Sequence, residues 1–344
     1  MKPTATDQKL RGGYYTPKPI ATFLANWAIQ TPDTSILEPS CGDGMLLEAA
    51  AKRLTECGAT DTSIHTSIQG IEFDGFEAQK AVERLRAIYD SYAPQIMTGD
   101  FFTYCQKYLN QERRFDAIIG NPPFIRYQHF PENQRAIAFY LMQRAGLHPN
   151  RLTNACVPFL VASTSLLSKT GKLAMVIPAE LLQVNYAAEL RYFLSQHYSY
   201  ITLITFKKLV FDGIQQEVVL LLAERNGSEH TGIRTIELDG IDDLLAYEHT
   251  VLSKDKLKVM DHSTEKWTMY FLEEAEKLPL PLIGADTLDI QQLDALLHDG
   301  NIYAALDITD HVLLREGLGL SSKDTAMLRT IWQKLRDRRI NRKL

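Results

Sequence analysis

Phe115-Asp116-Ala117-Ile118-Ile119-Gly120-Asn121-Pro122-Pro123-Phe124 reads as a buried strand that stops at a rigid turn. The run from Phe115 to Ile119 is short, apolar and bounded by polar and turn residues. Pro122 and Pro123 then bar continuation as strand or helix. The turn therefore holds one amide side chain (Asn121), one carbonyl (Pro122) and one aromatic ring (Phe124) in fixed relation. Two hydrogen-bond acceptors beside a stacking face suit chemistry on a planar exocyclic amine.

Working outward, strand and helix patterns alternate from about residue 35 to 225, which argues for an α/β fold with a largely parallel sheet. Ser35–Glu38, Ile68–Phe73 and Gln95–Gly99 read as strands before the opening stretch. After it, 126–150 reads as a polar, aromatic loop with a short helix, and Ala155–Leu167 as an apolar helix. Lys172–Ile177 is a strand closed by Pro178, and a helix over 179–196 follows. Ile201–Phe206 and Val218–Leu222 read as an antiparallel pair at the sheet edge. Composition turns polar near Glu224-Arg225-Asn226-Gly227-Ser228, which places a domain boundary there. We therefore expect a catalytic domain over 1–228 and a short, mainly helical region over 229–344, with a helix from Thr325 to Arg338.

Three strand ends carry ligand-type residues. Glu38-Pro39-Ser40-Cys41-Gly42-Asp43-Gly44 joins the first strand to a helix, and glycines there let backbone approach a ligand closely. Glu72 ends the second strand, where an acid can accept both hydroxyls of a ribose. Asp100 ends the third, placed to accept from an adenine amino group, with Phe73 and Phe101 beside these acids to pack on the ring. No Walker-type lysine follows the glycines, and the third glycine of the dinucleotide fingerprint is missing. An adenosine-bearing cofactor without phosphates fits better.

In this order, the Glu38–Gly44 run, Glu72, Asp100 and Asn121-Pro122-Pro123-Phe124 resemble S-adenosylmethionine-dependent amino-methyltransferases. Arg11-Gly12-Gly13-Tyr14-Tyr15-Thr16-Pro17, preceding them all, is similar to the additional cofactor motif of gamma-class adenine-N6 DNA methyltransferases. The resemblance implies a Rossmann-like class I fold with a mostly parallel seven-stranded sheet. It implies that Tyr15, Thr16, Pro17 and the helix after them close over the methionine end of S-adenosylmethionine. Glu38, Pro39, Cys41, Gly42, Gly44, Glu72, Phe73, Asp100, Phe101 and Asn121 would line the remaining cofactor site. Asn121, Pro122 and Phe124 would act on the adenine, with Pro123 and Phe124 against the flipped base. Phe211, in Leu209-Val210-Phe211-Asp212-Gly213, matches the position of a second aromatic on that base, with a core phenylalanine as the alternative reading. Arg126 and Tyr127 read either as substrate-strand contacts or as ordinary loop residues.

The implied reaction is methyl transfer to the N6 amine of adenine in duplex DNA, within a restriction-modification or related defence system. Protein-glutamine and ribosomal-RNA guanine methyltransferases share the Asn-Pro-Pro-aromatic turn and stand as alternatives. A DNA-binding scaffold that has lost catalysis is another. The region after the core is short and acidic for target recognition, so a partner specificity or restriction subunit is the further expectation.

Bulk properties set no obstacle. The chain has 344 residues, 45% hydrophobic and 23% charged, with a net charge of −5. A mildly acidic chain can still bind phosphates through local patches, and basic residues cluster at the start and in the last helix. Cys41, Cys57, Cys105 and Cys156 form no CxxC pair, so neither zinc nor a disulfide framework is expected. No apolar run reaches the roughly 18 residues of a membrane span, and no signal-like segment opens the chain; a cytoplasmic location is expected.

Overall fold

The computed structural model describes residues 14–89, 95–111, 114–125, 132–150, 153–211, 217–225, 231–246, 257–260 and 266–271. Arg126, Tyr127, the basic termini and the helix expected over 325–338 lie outside the described residues. Two compact units divide the chain at Glu265/Lys266. Of the second unit, residues 266–271 are described, with a 3₁₀ turn over Trp267–Phe271.

The first unit opens with helix α1 (Lys18–Ala28) and strand β1 (Ile36–Glu38), followed by α2 (Met45–Glu56), α3 (Asp61–Ser67) and β2 (Ile68–Glu72). Next come α4 (Gly75–Arg86), β3 (Gln95–Thr98), α5 (Phe101–Tyr108), β4 (Phe115–Gly120), α6 (Glu132–Arg144), α7 (Cys156–Leu166) and β5 (Leu167–Pro178). Helix α8 (Ala188–His197), β6 (Tyr200–Phe206), β7 (Val218–Glu224), β8 (Gly232–Leu238), α9 (Ile241–Ala246) and β9 (Lys258–Val259) complete it.

The strands form one sheet in the order β3-β2-β1-β4-β5-β7-β6-β8-β9. Strands β1 to β5 are parallel neighbours, and β7 runs antiparallel to both β5 and β6. Ala117, Ile118 and Ile119 of β4 are fully buried, as a central strand covered on both faces by helices demands. The strand order reverses between β1 and β4, and ligands of open α/β sheets bind outside the carboxyl ends of the strands at that switch point. The glycine run follows β1 and the Asn121 turn follows β4, so both reach the same crevice.

Four expectations change. The sheet has nine strands, not seven, because β8 pairs in parallel along all of β6 and β9 pairs with β8. For the same reason β6 and β7 are interior strands rather than an edge hairpin. The expected helix over 179–196 begins as two 3₁₀ turns, Ala179–Leu182 and Asn185–Ala187, before α8. Buried Arg191 holds these turns by donating to the carbonyls of Leu181 (3.1 Å) and Val184 (3.0 Å). Finally, the segment expected as loop with a short helix contains the 13-residue α6.

Candidate active site

The loop between β1 and α2 is shaped by its glycines. Gly42 and Gly44 adopt φ of 50° and 82°, the left-handed region that side chains disfavour. A Cβ on Gly44 would stand 2.8 Å from the Ala81 Cβ of α4, whereas one on Gly42 would point into open space. The Cys41 amide donates to the Ile71 carbonyl (2.9 Å) and ties the loop to β2. Arg84 of α4 clamps the loop from the other side. It donates to the Asp43 carbonyl (2.8 Å), pairs with the Asp43 carboxylate and reaches Glu48 (2.9 Å).

Glu72 sits beneath this loop. Its Oε2 accepts the Gly42 amide and its Oε1 the Asp74 amide, each at 2.8 Å. A carboxylate has about four lone-pair sites, so acceptor capacity remains toward the crevice. Burial raises the Glu72 pKa against these two backbone bonds. Glu38 is 2% exposed, and burial, then the charges of Asp43 and Glu72, push its pKa well above the ordinary carboxylate value. Its Oε2 is buried without a hydrogen bond. Burial likewise raises the Cys41 thiol, which is therefore no thiolate nucleophile.

The raised Glu38 pKa gives a pH signature. Its folded-state value lies above the unfolded one, so its contribution is full at acid pH and is lost as pH rises toward the folded value. Glu38→Gln removes this titration. The Tm difference between variant and wild type is expected to move in the variant's favour from pH 5 to pH 8. Parallel Tm curves over that range would refute the assignment.

At the third strand end, Asp100 caps α5: its Oδ2 accepts the Thr103 amide (2.8 Å) and hydroxyl (2.7 Å). The two flanking aromatics differ. Phe73 is 62% exposed, but Phe101 is 3% exposed with its ring stacked on Phe159 at 5.2 Å. The expectation that the Phe101 ring packs on a ligand is thus corrected, because α5 turns it into the core. Phe211 is corrected similarly: it is 6% exposed within the main hydrophobic cluster, so its ring is not presented to a base.

The Asn121 turn is held by the chain's early segment. Asn121 Nδ2 donates to the Tyr14 carbonyl (3.1 Å) and to Thr16 Oγ1 (3.2 Å). These bonds occupy the amide's N–H groups and turn Oδ1 away from Thr16 as the acceptor. Thr16 is buried, Pro17 stands at the N-cap of α1, and exposed Tyr15 hydrogen-bonds Glu77 (3.0 Å) and Lys80 (2.8 Å). Pro122 is buried, while Pro123 and Phe124 are partly exposed.

Sequence reasoning missed the brace on the far side of the turn. The Ile125 carbonyl accepts the Ala155 amide at 2.8 Å. Asn154 Oδ1 accepts the Cys156 amide at the start of α7 (2.9 Å), and its Nδ2 donates to Glu180 Oε1 (3.2 Å). Tyr186 donates to the same oxygen (2.9 Å). Glu180 follows Pro178 at the end of β5, so an acid just beyond a strand end was the signal available. Among the described residues no group of three or more His, Cys, Asp or Glu side chains is arranged to hold a metal.

A model of the family described as N-6 DNA Methylase matches residues 1–277. The chain belongs to that family. Among curated relatives, Type II methyltransferase M.AccI of Acinetobacter calcoaceticus is 24% identical over 273 residues, covering 76% of this chain and 47% of its own length. The chain thus spans about half the length of this relative. Among solved structures, a DrdV–DNA complex superposes with a TM-score of 0.62 at 14% identity, covering 77% of this chain and 32% of that one. A class I S-adenosylmethionine-dependent methyltransferase from Listeria monocytogenes gives 0.52 at 18% identity, covering 66% of each chain. These similarities establish the Rossmann-like class I fold for this member of the family.

Proposed function

We propose that this chain is the catalytic part of a DNA methyltransferase that transfers the methyl of S-adenosylmethionine to the N6 amine of a flipped-out adenine. The observation that carries the reading is the Asn121 amide, whose nitrogen is held by Tyr14 and Thr16 so that Oδ1 serves as an acceptor beside the glycine-loop crevice. The crevice suits the cofactor: the missing Cβ of Gly42 leaves open space, and Glu72 retains acceptor capacity for a hydroxyl pair. Gly42, Gly44, Glu38 and Glu72 would hold its nucleoside part, Asp100 and exposed Phe73 its base, and Tyr15–Pro17 its amino-acid end. When bound, it supplies an electrophilic methyl group.

The chain's own residues prepare the nucleophile. An adenine amine is weak because its lone pair is conjugated into the ring. Acceptance of its two N–H groups by Asn121 Oδ1 and the Pro122 carbonyl favours the pyramidal geometry of attack, a preorganised electrostatic effect. The base must leave the helix stack to reach this turn. Partly exposed Phe124 then stacks on it, worth roughly 1–3 kcal/mol. Residues beyond Glu265, or a partner specificity or restriction subunit, would supply target recognition. A cytoplasmic setting follows from a DNA substrate.

The test is label transfer. Incubated with radiolabelled S-adenosylmethionine and separate pools of duplex DNA, RNA and protein, the chain is expected to label DNA at adenine N6. Label confined to RNA or protein would overturn the substrate assignment, and cofactor binding without transfer to any pool would favour a non-catalytic scaffold.

A further inference from the structure

A second crevice opens at the opposite end of the sheet from the Asn121 turn, beside the start of β5. Its volume is about 600 Å³, within the range of small-molecule sites, and Leu141, Leu167 and Phe193 contribute apolar walls. The charged lining is one-sided: Arg114, Arg144, Lys169, His197 and Arg225 reach the crevice, and among the described residues no carboxylate does.

Arg225 is the fixed member of this set. Its guanidinium donates to the carbonyls of Thr164 (2.9 Å), Leu167 (3.0 Å), Ser168 (3.3 Å) and His197 (3.2 Å). Carbonyls orient the group and satisfy its N–H bonds, yet they neutralise none of its formal charge. Burial, and then the charge of Arg114, lower its pKa against the favourable effect of Tyr198. Tyr198 lies beneath it at 5.5 Å, but burial pushes that hydroxyl up to about 12, so it is neutral at neutral pH. The adjacent carboxylate, Glu224, lies 3.9 Å from Lys172, which packs over Trp27 instead. Among the described residues no carboxylate pairs with this half-buried cation, an unfavourable arrangement that an incoming anion would relieve.

We propose that this crevice binds a small organic phosphate of nucleoside-monophosphate size. The N–H groups of Arg225 and Arg114 are largely taken by carbonyls, Arg114 donating to Gln111 and Leu109, so these two supply charge. The exposed Arg144 guanidinium can match phosphate oxygens in a pair, and the Lys169 ammonium adds a point charge at the rim. The volume is far larger than a bare phosphate needs, and the apolar walls give an attached ring a place to pack. None of these residues belongs to the Asn121 site, so the inference stands apart from the methyl-transfer reading.

The test titrates the full chain with uridine 5′-monophosphate by calorimetry. S-adenosylhomocysteine is present so that the glycine-loop crevice does not compete. Uridine and inorganic phosphate are the comparison probes. The wild type is expected to bind the monophosphate at millimolar concentration or below, with uridine undetected and inorganic phosphate at least about tenfold weaker. Arg144 and Lys169 are exposed, so R144E/K169E should keep the fold, verified by an unchanged Tm, and should weaken monophosphate binding about tenfold or more. Absence of binding, equal binding of uridine or of inorganic phosphate, or an affinity unchanged in the double variant would each overturn the proposal.

Discussion

Asn121→Ala is expected to lower methyl transfer by at least about a hundredfold, the scale on which removing one preorganised polar group acts in other enzymes. S-adenosylmethionine affinity should change little, because the glycine loop, Glu72 and Asp100 remain in place. The reasoning rests on the orientation of the amide. Its nitrogen is committed to Tyr14 and Thr16, which leaves the oxygen as one of two acceptors for the amine. Thr16→Val removes one of these anchors and keeps the other, a loss of about 1 kcal/mol for one hydrogen bond. Its turnover should accordingly fall about fivefold, well short of the alanine variant. Steady-state rates and cofactor affinities measured together check both. Wild-type turnover by Asn121→Ala would remove Asn121 from the mechanism.

Gly44→Val is the second large effect, and it acts on the fold before it acts on the ligand. The residue is left-handed at φ 82°, and a Cβ would lie 2.8 Å and 2.9 Å from the Ala81 Cβ and Cα. Ala81 is part of a packed helix, so its backbone cannot swing aside as the tip of a long side chain would. A left-handed β-branched residue costs about 1–2 kcal/mol in backbone terms and overpacking about 1–3 kcal/mol more. A fall in Tm of roughly 5–15 °C is expected, with cofactor binding lost. Gly42→Ala makes the informative contrast, since its Cβ meets no protein atom within 4 Å. It should weaken cofactor binding while lowering Tm much less. Equal thermal stability of Gly44→Val and wild type would show that the loop does not need its close approach to α4.

The central strands were legible because each is an apolar run stopped by a residue of definite meaning: Glu38, Glu72, Gly120 or Pro178. The glycine loop and the Asn121 turn were legible for the same reason. What the sequence did not display was direction. Phe101 and Phe211 stand beside ligand-type residues in the chain, yet each ring turns into the core, and adjacency along the chain says nothing about that rotation. Helix α6 was underestimated because its buried stripe starts at Gln134, a residue that reads as exposed, and continues through Ala138, Leu141 and Met142. The Arg84 clamp and the Glu180 brace were invisible for a simpler reason. Each joins positions tens of residues apart, and no local pattern records such a pairing. Extension of the sheet by β8 was hidden likewise, because an apolar strand does not announce which edge it will join.

The bonds from Asn121 to Thr16 and Tyr14 also set an order of events in the life of the chain. They link residues 105 and 107 positions apart, so Tyr14 and Thr16 cannot take up their bonds to the amide until β4 has formed. Closing so long a loop is entropically unfavourable, and contacts of this span tend to be made late. The segment that orients the amide is thus made well before β4 and set against it late. A nascent or partly opened chain can hold its glycine loop and central strands while its amide is still unset, so the proposed methyl transfer would wait for that docking.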